Sequence, residues 1–418
     1  MLKNKLILIP IFLSLSFFVS YFVGEDALGG ARHDYLAHEK FIKDFSENFL
    51  VTFHNYGHGD LYARNSPVFY IIYSKLYELL PNLNLLRYFN ILLIFPLLIL
   101  FYKCLILKFQ NIDNSSLILF FSCLLLSPTV RSLTVWPYPL IYALIFFLSS
   151  IYFYLNFEKS KNKNEKLKNA FYCILYLSIS SYLTPNFAIF ILFYVLKFFL
   201  EFKFSKEILI ILLFSLFLSL PAISFLIWKD FYLFQHEVYE ISNLEKFNIA
   251  NKIVIISSIV FLFFLPFLKK IKIKNELNKF LKNKKIFFIL IIFITCVYFF
   301  DFKMGAGGGI FYQISNILFK NNLLLFLFFL FSLIIFNIYN LYNFNNFVIF
   351  FILIIYNLQY TIYYKYFDPI LLFIFLFMFK LNKNKVDSIE MIGKKYFLFY
   401  IIFLLINLFK NNIRFILV

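Results

Sequence analysis

Four of the five histidines in this 418-residue chain, His33, His38, His54 and His58, fall within residues 24–66. Glu25, Asp26, Asp34, Glu39, Asp44, Glu47 and Asp60 share that stretch, which follows an apolar run at 6–23. Carboxylates and imidazoles are the side chains that take and give protons in catalysis. Ionisable groups gathered beside a bilayer mark a functional site. Asp34, in Arg32-His33-Asp34-Tyr35, is the leading candidate for a base, because burial against the aromatic residues around it would raise its pKa toward the working range. Asp26 and Glu25 are the alternates. Asp34 and His38 are four apart and share one face of a helix. Leu36, Phe41, Phe45 and Phe49 recur at helical spacing, which predicts a helix from 34 to 49 lying on the bilayer. There His38 would orient or neutralise the carboxylate, or contact a phosphate.

His54 and His58 have the spacing of two metal ligands on a helical turn. However, Gly57 and Gly59 argue against a helix, and no HExxH is present. No metal-ligand set is assigned, and a divalent cation is left open as a cofactor. The bland reading, a polar loop in which His58 contacts phosphate, is preferred. Gly305 to Gly309 lacks the ending of a nucleotide-binding P-loop. It reads as a tight turn or a mobile loop over the site, with Tyr312, Gln313 and Asn316 offering hydrogen bonds. Cys104, Cys123, Cys173 and Cys296 lie in or beside apolar runs without metal spacing and read as small buried hydrophobes.

The elements that must position these residues are membrane helices. Hydrophobic residues make up 62% of the chain and the mean hydropathy is +0.81, more apolar surface than a soluble core buries. About 13 apolar segments of helical length follow one another. They run near 6–23, 85–107, 116–131, 137–157, 170–183, 186–201, 208–228, 252–268, 285–300, 321–340, 346–362, 367–381 and 396–416. Residues 67–80 are too short to span and read as an interfacial or re-entrant helix. The expectation is an all-α polytopic membrane protein, one integral-membrane domain over 1–418, with 24–66 as its first outer loop.

With the N-terminus in the cytoplasm, the lysine clusters at 159–168, 203–206, 269–285 and 383–395 all fall on the inner side. The net charge of +18 therefore reads as inner loops, and nucleic acid is excluded as a partner. Val23-Gly24-Glu25-Asp26 lacks a small-x-small cleavage pattern, so the first helix is expected to be retained. The opposite side collects 24–66, Arg131 to Pro139, Thr184 to Asn186, 229–251, 301–319 and Tyr364 to Pro369. Basic residues are disfavoured there, so Arg64 and Arg131 are assigned to an anionic headgroup or phosphate. For Lys303 and Lys365 the same role stands beside interfacial snorkelling.

One helix, an outer loop with an early acid, a short interfacial helix and then a multi-helix bundle: this architecture resembles the GT-C glycosyltransferases over most of the chain. Asn65-Ser66-Pro67-Val68-Phe69-Tyr70 resembles the proline-containing return of the dolichyl-phosphate-glucose alpha-1,2-glucosyltransferase group. Tyr364-Lys365-Tyr366-Phe367-Asp368-Pro369 resembles that group's acid-x-Arg-Tyr-x-x-Pro stretch, with Lys365 where the group has arginine. The resemblance implies a GT-C-like bundle and sugar transfer from a polyprenyl-phosphate carrier to a glycan or lipid-linked acceptor, with membrane lipids around it. It implies Asp34 as the catalytic base of an inverting displacement. Arg64, Arg131 and Lys365, with Arg32, His38 and His58, would contact substrate or phosphate. Tyr56, Trp136 and Tyr138 would stack on sugars. The expected location is a bacterial inner or plasma membrane, with the site on the outer face. Two other readings stand beside it. A lipid or glycan transporter would need ionisable residues near the bilayer midplane, which are sparse here. An O-antigen-type polymerase or ligase carries its large outer loop late in the chain.

Overall fold

A computed structural model describes residues 6–58, 65–110, 112–232, 248–269, 285–303, 307–339, 343–357, 359–381 and 386–417. Among these residues the chain is helical, with one isolated antiparallel bridge between Leu268 and Val386. It forms two compact units, Met1–His236 with Tyr396–Val418, and Glu237–Lys395.

The first unit opens with α1 (Leu8–Val23), followed by α2 (Ala31–Glu47), α3 (Phe49–Asn55) and α4 (Val68–Leu79). A long span, α5 (Leu83–Lys108), leads to α6 (Asn114–Leu126) and α7 (Pro128–Val135). Next come α8 (Pro139–Lys159), α9 (Lys163–Leu183), a 3₁₀ turn at Pro185–Phe190, α10 (Ile191–Phe202) and α11 (Lys206–Trp228). The second unit holds α12 (Ile249–Phe264), α13 (Lys285–Tyr298), α14 (Gly309–Phe319), α15 (Leu323–Ile338), α16 (Phe344–Tyr356) and α17 (Ile370–Phe373). The last helix, α18, runs Ile389–Leu417.

Each expected apolar segment has a helix at or near its place, but fewer than 13 have spanning length. Among the described residues six helices are long and apolar enough to cross a membrane, or seven if the bent pair α6 and α7 is one span. Five more apolar helices, α1 among them, are shorter. The chain is thus a membrane-spanning helical protein. Leu209, Leu213, Leu216, Phe217 and Leu220 on α11 are exposed, as side chains facing lipid are. All four cysteines are free and buried.

Polar residues punctuate the apolar runs because an unpaired backbone N–H at a helix start needs an acceptor. Asn48 accepts from Val51 N (3.3 Å), Asp113 from Ser116 N (3.1 Å) and Asn343 from Asn346 N (2.9 Å). Ser127-Pro128 breaks one apolar run into α6 and α7, which meet at a bend of 56°. Ser127 Oγ accepts from Val130 N (3.1 Å), and Pro128 occupies a first-turn position where no N–H is required. The turn restarts the helix in a new direction and carries Arg131 inward.

The end of α7 is held by Asn90 of α5. Its Nδ2 donates to Leu133 O (2.8 Å) and Thr134 O (2.7 Å), while Oδ1 accepts from Tyr73 Oη (2.8 Å). Asn90 is wholly buried, so Asn90→Leu strips partners from two carbonyls and a hydroxyl that water cannot reach. The expected loss is about 1–3 kcal/mol of stability, read as a lower unfolding midpoint in detergent micelles. Wild-type stability in Asn90→Leu would contradict this role.

In the second unit, α12 is buried along most of its length and carries a buried lysine. Lys252 Nζ donates to Asn357 O (2.7 Å) and, at 3.4 Å, to Gln359 O. Asn251 Nδ2 donates to Asp301 Oδ1 (2.6 Å), and Asp301 N to Asn251 Oδ1 (3.0 Å). The glycine run ends in left-handed Gly307, Gly308 and Gly309, with Gly308 N donating to Ile362 O (2.9 Å). Residues 304–306 lie outside the described residues. Tyr312 is buried with its hydroxyl toward Phe302 O (3.3 Å), and Gln313 donates to Gly307 O, so both serve this turn.

Candidate functional site

The polar stretch after α1 folds as a turn and two helices. Gly24 closes α1 at φ 65, a left-handed conformation that glycine adopts without steric cost, and Glu25 N donates back to Ser20 O (2.8 Å). Asp26 then starts α2: Oδ1 accepts from Gly29 N (2.9 Å) and Oδ2 from Arg32 N (3.1 Å). The buried stripe of α2 is Ala31, Tyr35, His38, Phe41, Ile42 and Phe45. Leu36, expected in the stripe, is exposed; helical drift places Tyr35 and His38 inward in its stead.

Asp34 lies in the first turn of α2, half-buried, where the positive end of the helix dipole favours a carboxylate. One turn on, His38 is buried, with Nδ1 at 2.7 Å from Tyr70 Oη of α4. Asn65 Nδ2 donates to the same hydroxyl (3.3 Å). The Tyr70 hydroxyl thus bridges the His38 ring and the Asn65 amide. Burial holds the Tyr70 hydroxyl protonated far above its ordinary range; Asn65 opposes this, while Tyr138 and the Asp34 carboxylate reinforce it. Asp34 and His38 lie one turn apart on α2, as their spacing predicts, and His38 meets Tyr70 and through it Asn65, two residues that spacing did not identify.

Arg131 has a different environment from the one expected. Its side chain is 7% exposed and that of Glu25 is 11% exposed. Nε donates to Glu25 Oε1 (2.7 Å) and Nη2 to Oε2 (2.6 Å) in a two-pronged ion pair. Nη1 reaches Ser16 Oγ (3.0 Å) and Nη2 also reaches Ser20 Oγ (2.6 Å). Glu25 fills the place expected for a phosphate, so Arg131 fastens α7 to α1. Burial acts to raise the Glu25 carboxyl, but the Arg131 and Ser20 hydrogen bonds and the Arg131 charge more than offset it, leaving the group below its ordinary 4.5. Glu25 is thus engaged by the Arg131 guanidinium and Ser20.

The expected sugar-stacking residues are buried. Tyr56 is fully enclosed, its hydroxyl donating to Asn65 O (2.7 Å) and its ring packed among Phe41, Phe45, Tyr70 and Tyr232. No face of it is open to a sugar. The following Gly57, at φ 92, allows this packing, since a Cβ there would lie 2.8 Å from Tyr232 Cγ. Tyr138 meets the His38 ring edge-on at 5.0 Å. Trp136 donates Nε1–H to Glu25 O (2.9 Å), and guanidiniums lie by its ring: Arg87 at 3.9 Å and Arg32 at 5.7 Å. Arg32 and His58 are exposed. Arg64 lies outside the described residues, as does Asp60. Lys365 belongs to the second unit, over the rings of Tyr363 (5.8 Å) and Tyr366 (5.7 Å).

His54 is exposed, and its carbonyl accepts from Lys229 Nζ just past α11. Burial lowers the Lys229 pKa. Among the described residues no three His, Cys, Asp or Glu side chains gather as a metal would need. Arg87 was the residue overlooked in the sequence. A charged side chain near the start of an apolar run was the available signal. Comparison of the chain with protein-family models, with curated proteins and with solved structures gave no match.

Proposed function

We propose that this chain is a GT-C-type membrane glycosyltransferase, with Asp34 as its base and a polyprenyl-phosphate sugar as donor. The observation that supports it best is the placement of Asp34. The carboxylate is half-buried in the first turn of a helix that begins seven residues after Gly24, beside the buried His38–Tyr70 pair. A group so placed can reach a polar acceptor while the donor's chain stays in lipid.

In the proposed reaction Asp34 takes the proton of an acceptor hydroxyl as that oxygen attacks the anomeric carbon. The new C–O bond forms as the bond from that carbon to the phosphate oxygen breaks. The phosphate leaves with the bonding pair, through an oxocarbenium-like state, and the anomeric centre inverts. The His38–Tyr70–Asn65 network holds α2 against α4 and so fixes the position of Asp34. In this reading α9 and the shorter apolar helices complete a bundle of about 13 crossings in the inner or plasma membrane, with the site on the non-cytoplasmic face.

The first test is a donor panel. Purified full-length protein in lipid is given radiolabelled polyprenyl-phosphate sugars and a membrane lipid extract as acceptor. Label moving from one donor to a new product supports the reading. No transfer from any donor would count against it.

A further inference from the structure

Arg87 and Arg32 stand out because, among the described residues, neither guanidinium has a carboxylate partner. Both guanidiniums lie within 6 Å of the Trp136 ring centre, at 3.9 and 5.7 Å, and Arg87 also lies 4.5 Å from the Tyr21 ring. They act on each other as like charges. Among the described residues no carboxylate lies within 4 Å of either. The nearby acids have other duties: Glu25 holds Arg131, Glu39 pairs with Lys43 (2.7 Å), Asp26 caps α2, and Asp34 is the proposed base.

Two buried polar atoms beside this pair are unsatisfied. Arg87 Nε donates to Val135 O (3.2 Å), but Nη2 is enclosed and has no hydrogen-bond partner among the described residues. Tyr35, 3% exposed, has an enclosed hydroxyl that is likewise unpartnered and feels the Arg87 charge. Arg87 is half-buried, but its enclosed Nη2 is a buried donor without an acceptor, which is costly.

We propose that Arg87, Arg32 and the Tyr35 hydroxyl form a binding site for a phosphate group, built against Trp136. A phosphate monoester supplies what is missing: negative charge between two cations and several oxygens for the Arg87 fork and the Tyr35 hydroxyl. Arg32, on the exposed side, would receive the anion and Arg87 hold it. That this phosphate belongs to the lipid donor rests on the transferase reading; the site itself does not.

The protein holds two tryptophans, so Trp228→Phe leaves Trp136 as the only indole reporter. Full-length Trp228→Phe protein in detergent would be titrated with inorganic phosphate and, separately, with geranyl phosphate, following Trp136 fluorescence. Saturable binding is expected, weakened by about tenfold or more in Arg87→Lys and in Arg32→Ala. Arg87→Lys keeps the charge and loses the fork. Arg32 is exposed, so Arg32→Ala tests the charge with folding intact. Geranyl phosphate bound much more tightly than phosphate would make the ligand a lipid phosphate; equal binding would make it a free anion. Binding unchanged in both variants, or absent with both probes in the parent, would overturn the proposal. The two readings fail separately: binding without sugar transfer leaves the site and removes the transferase. Transfer unaffected by variants that lose phosphate binding keeps both the site and the transferase and shows that the bound phosphate is not the donor's.

Discussion

Replacing Arg131 with alanine is expected to destabilise the protein by about 3–5 kcal/mol, the cost of leaving one member of a buried ion pair alone. The pair is almost wholly enclosed, and Arg131 also satisfies Ser16 and Ser20. Without it the Glu25 carboxylate has only Ser20, and the turn that launches α2 keeps Leu28 N to Ser132 Oγ (3.0 Å) but loses its ionic anchor on α7. Glu25 also supplies the carbonyl that accepts from Trp136, so the disturbance extends to the aromatic end of the site. The effect is read from unfolding midpoints in detergent micelles. Replacing both partners with apolar residues of similar volume, Glu25→Leu with Arg131→Met, should recover much of the loss, since neither charge is then stranded. The pair also sets a pH dependence. The folded Glu25 carboxyl lies below its ordinary 4.5, so its contribution is fully present above that value. It is lost as pH falls through the lowered folded value. Near-wild-type stability in Arg131→Ala would mean that the arginine is held for a ligand after all.

The parts legible in the sequence were those governed by local rules. The apolar runs and their polar punctuation located the helices of both units, and Pro67 marked the start of α4. The spacing of Asp34 and His38 put them on one face, which the fold retains. What could not be read was pairing at long range. Glu25 and Arg131 are 106 positions apart, and nothing in either neighbourhood announces the other. An arginine expected beyond the membrane looked like a ligand-binding group; the bend at Ser127-Pro128 turns it inward to Glu25. Tyr56 followed the same logic in reverse. A tyrosine in a polar loop looks available, but Gly57 lets the chain press it against Tyr232 and Asn65. The stripe on α2 was misjudged by one position at Leu36, because an isolated amphipathic pattern does not say where the partner helix lies. Arg87 was obscured by the apolar run around it. The GT-C architecture was proposed from loop order, and the helix lengths support the membrane-spanning class on which it depends.

The second large effect is expected at Asp34. Asp34→Asn keeps size and shape, removes the base, and should lower sugar transfer by ~10²–10⁴-fold. Folding should change little, because the side chain is half-exposed and the helix dipole it loses is worth only about 0.3–1 kcal/mol. Asp26→Asn weakens the α2 cap and should lower stability modestly, with less effect on transfer. The decisive measurement is transfer of label from the donor selected by the panel, in wild type and Asp34→Asn side by side, with donor binding followed in the same preparations. The account predicts that the mutant binds donor as the wild type does and transfers at most about one-hundredth as fast. Equal transfer by the two proteins would contradict it and remove Asp34 from the reaction.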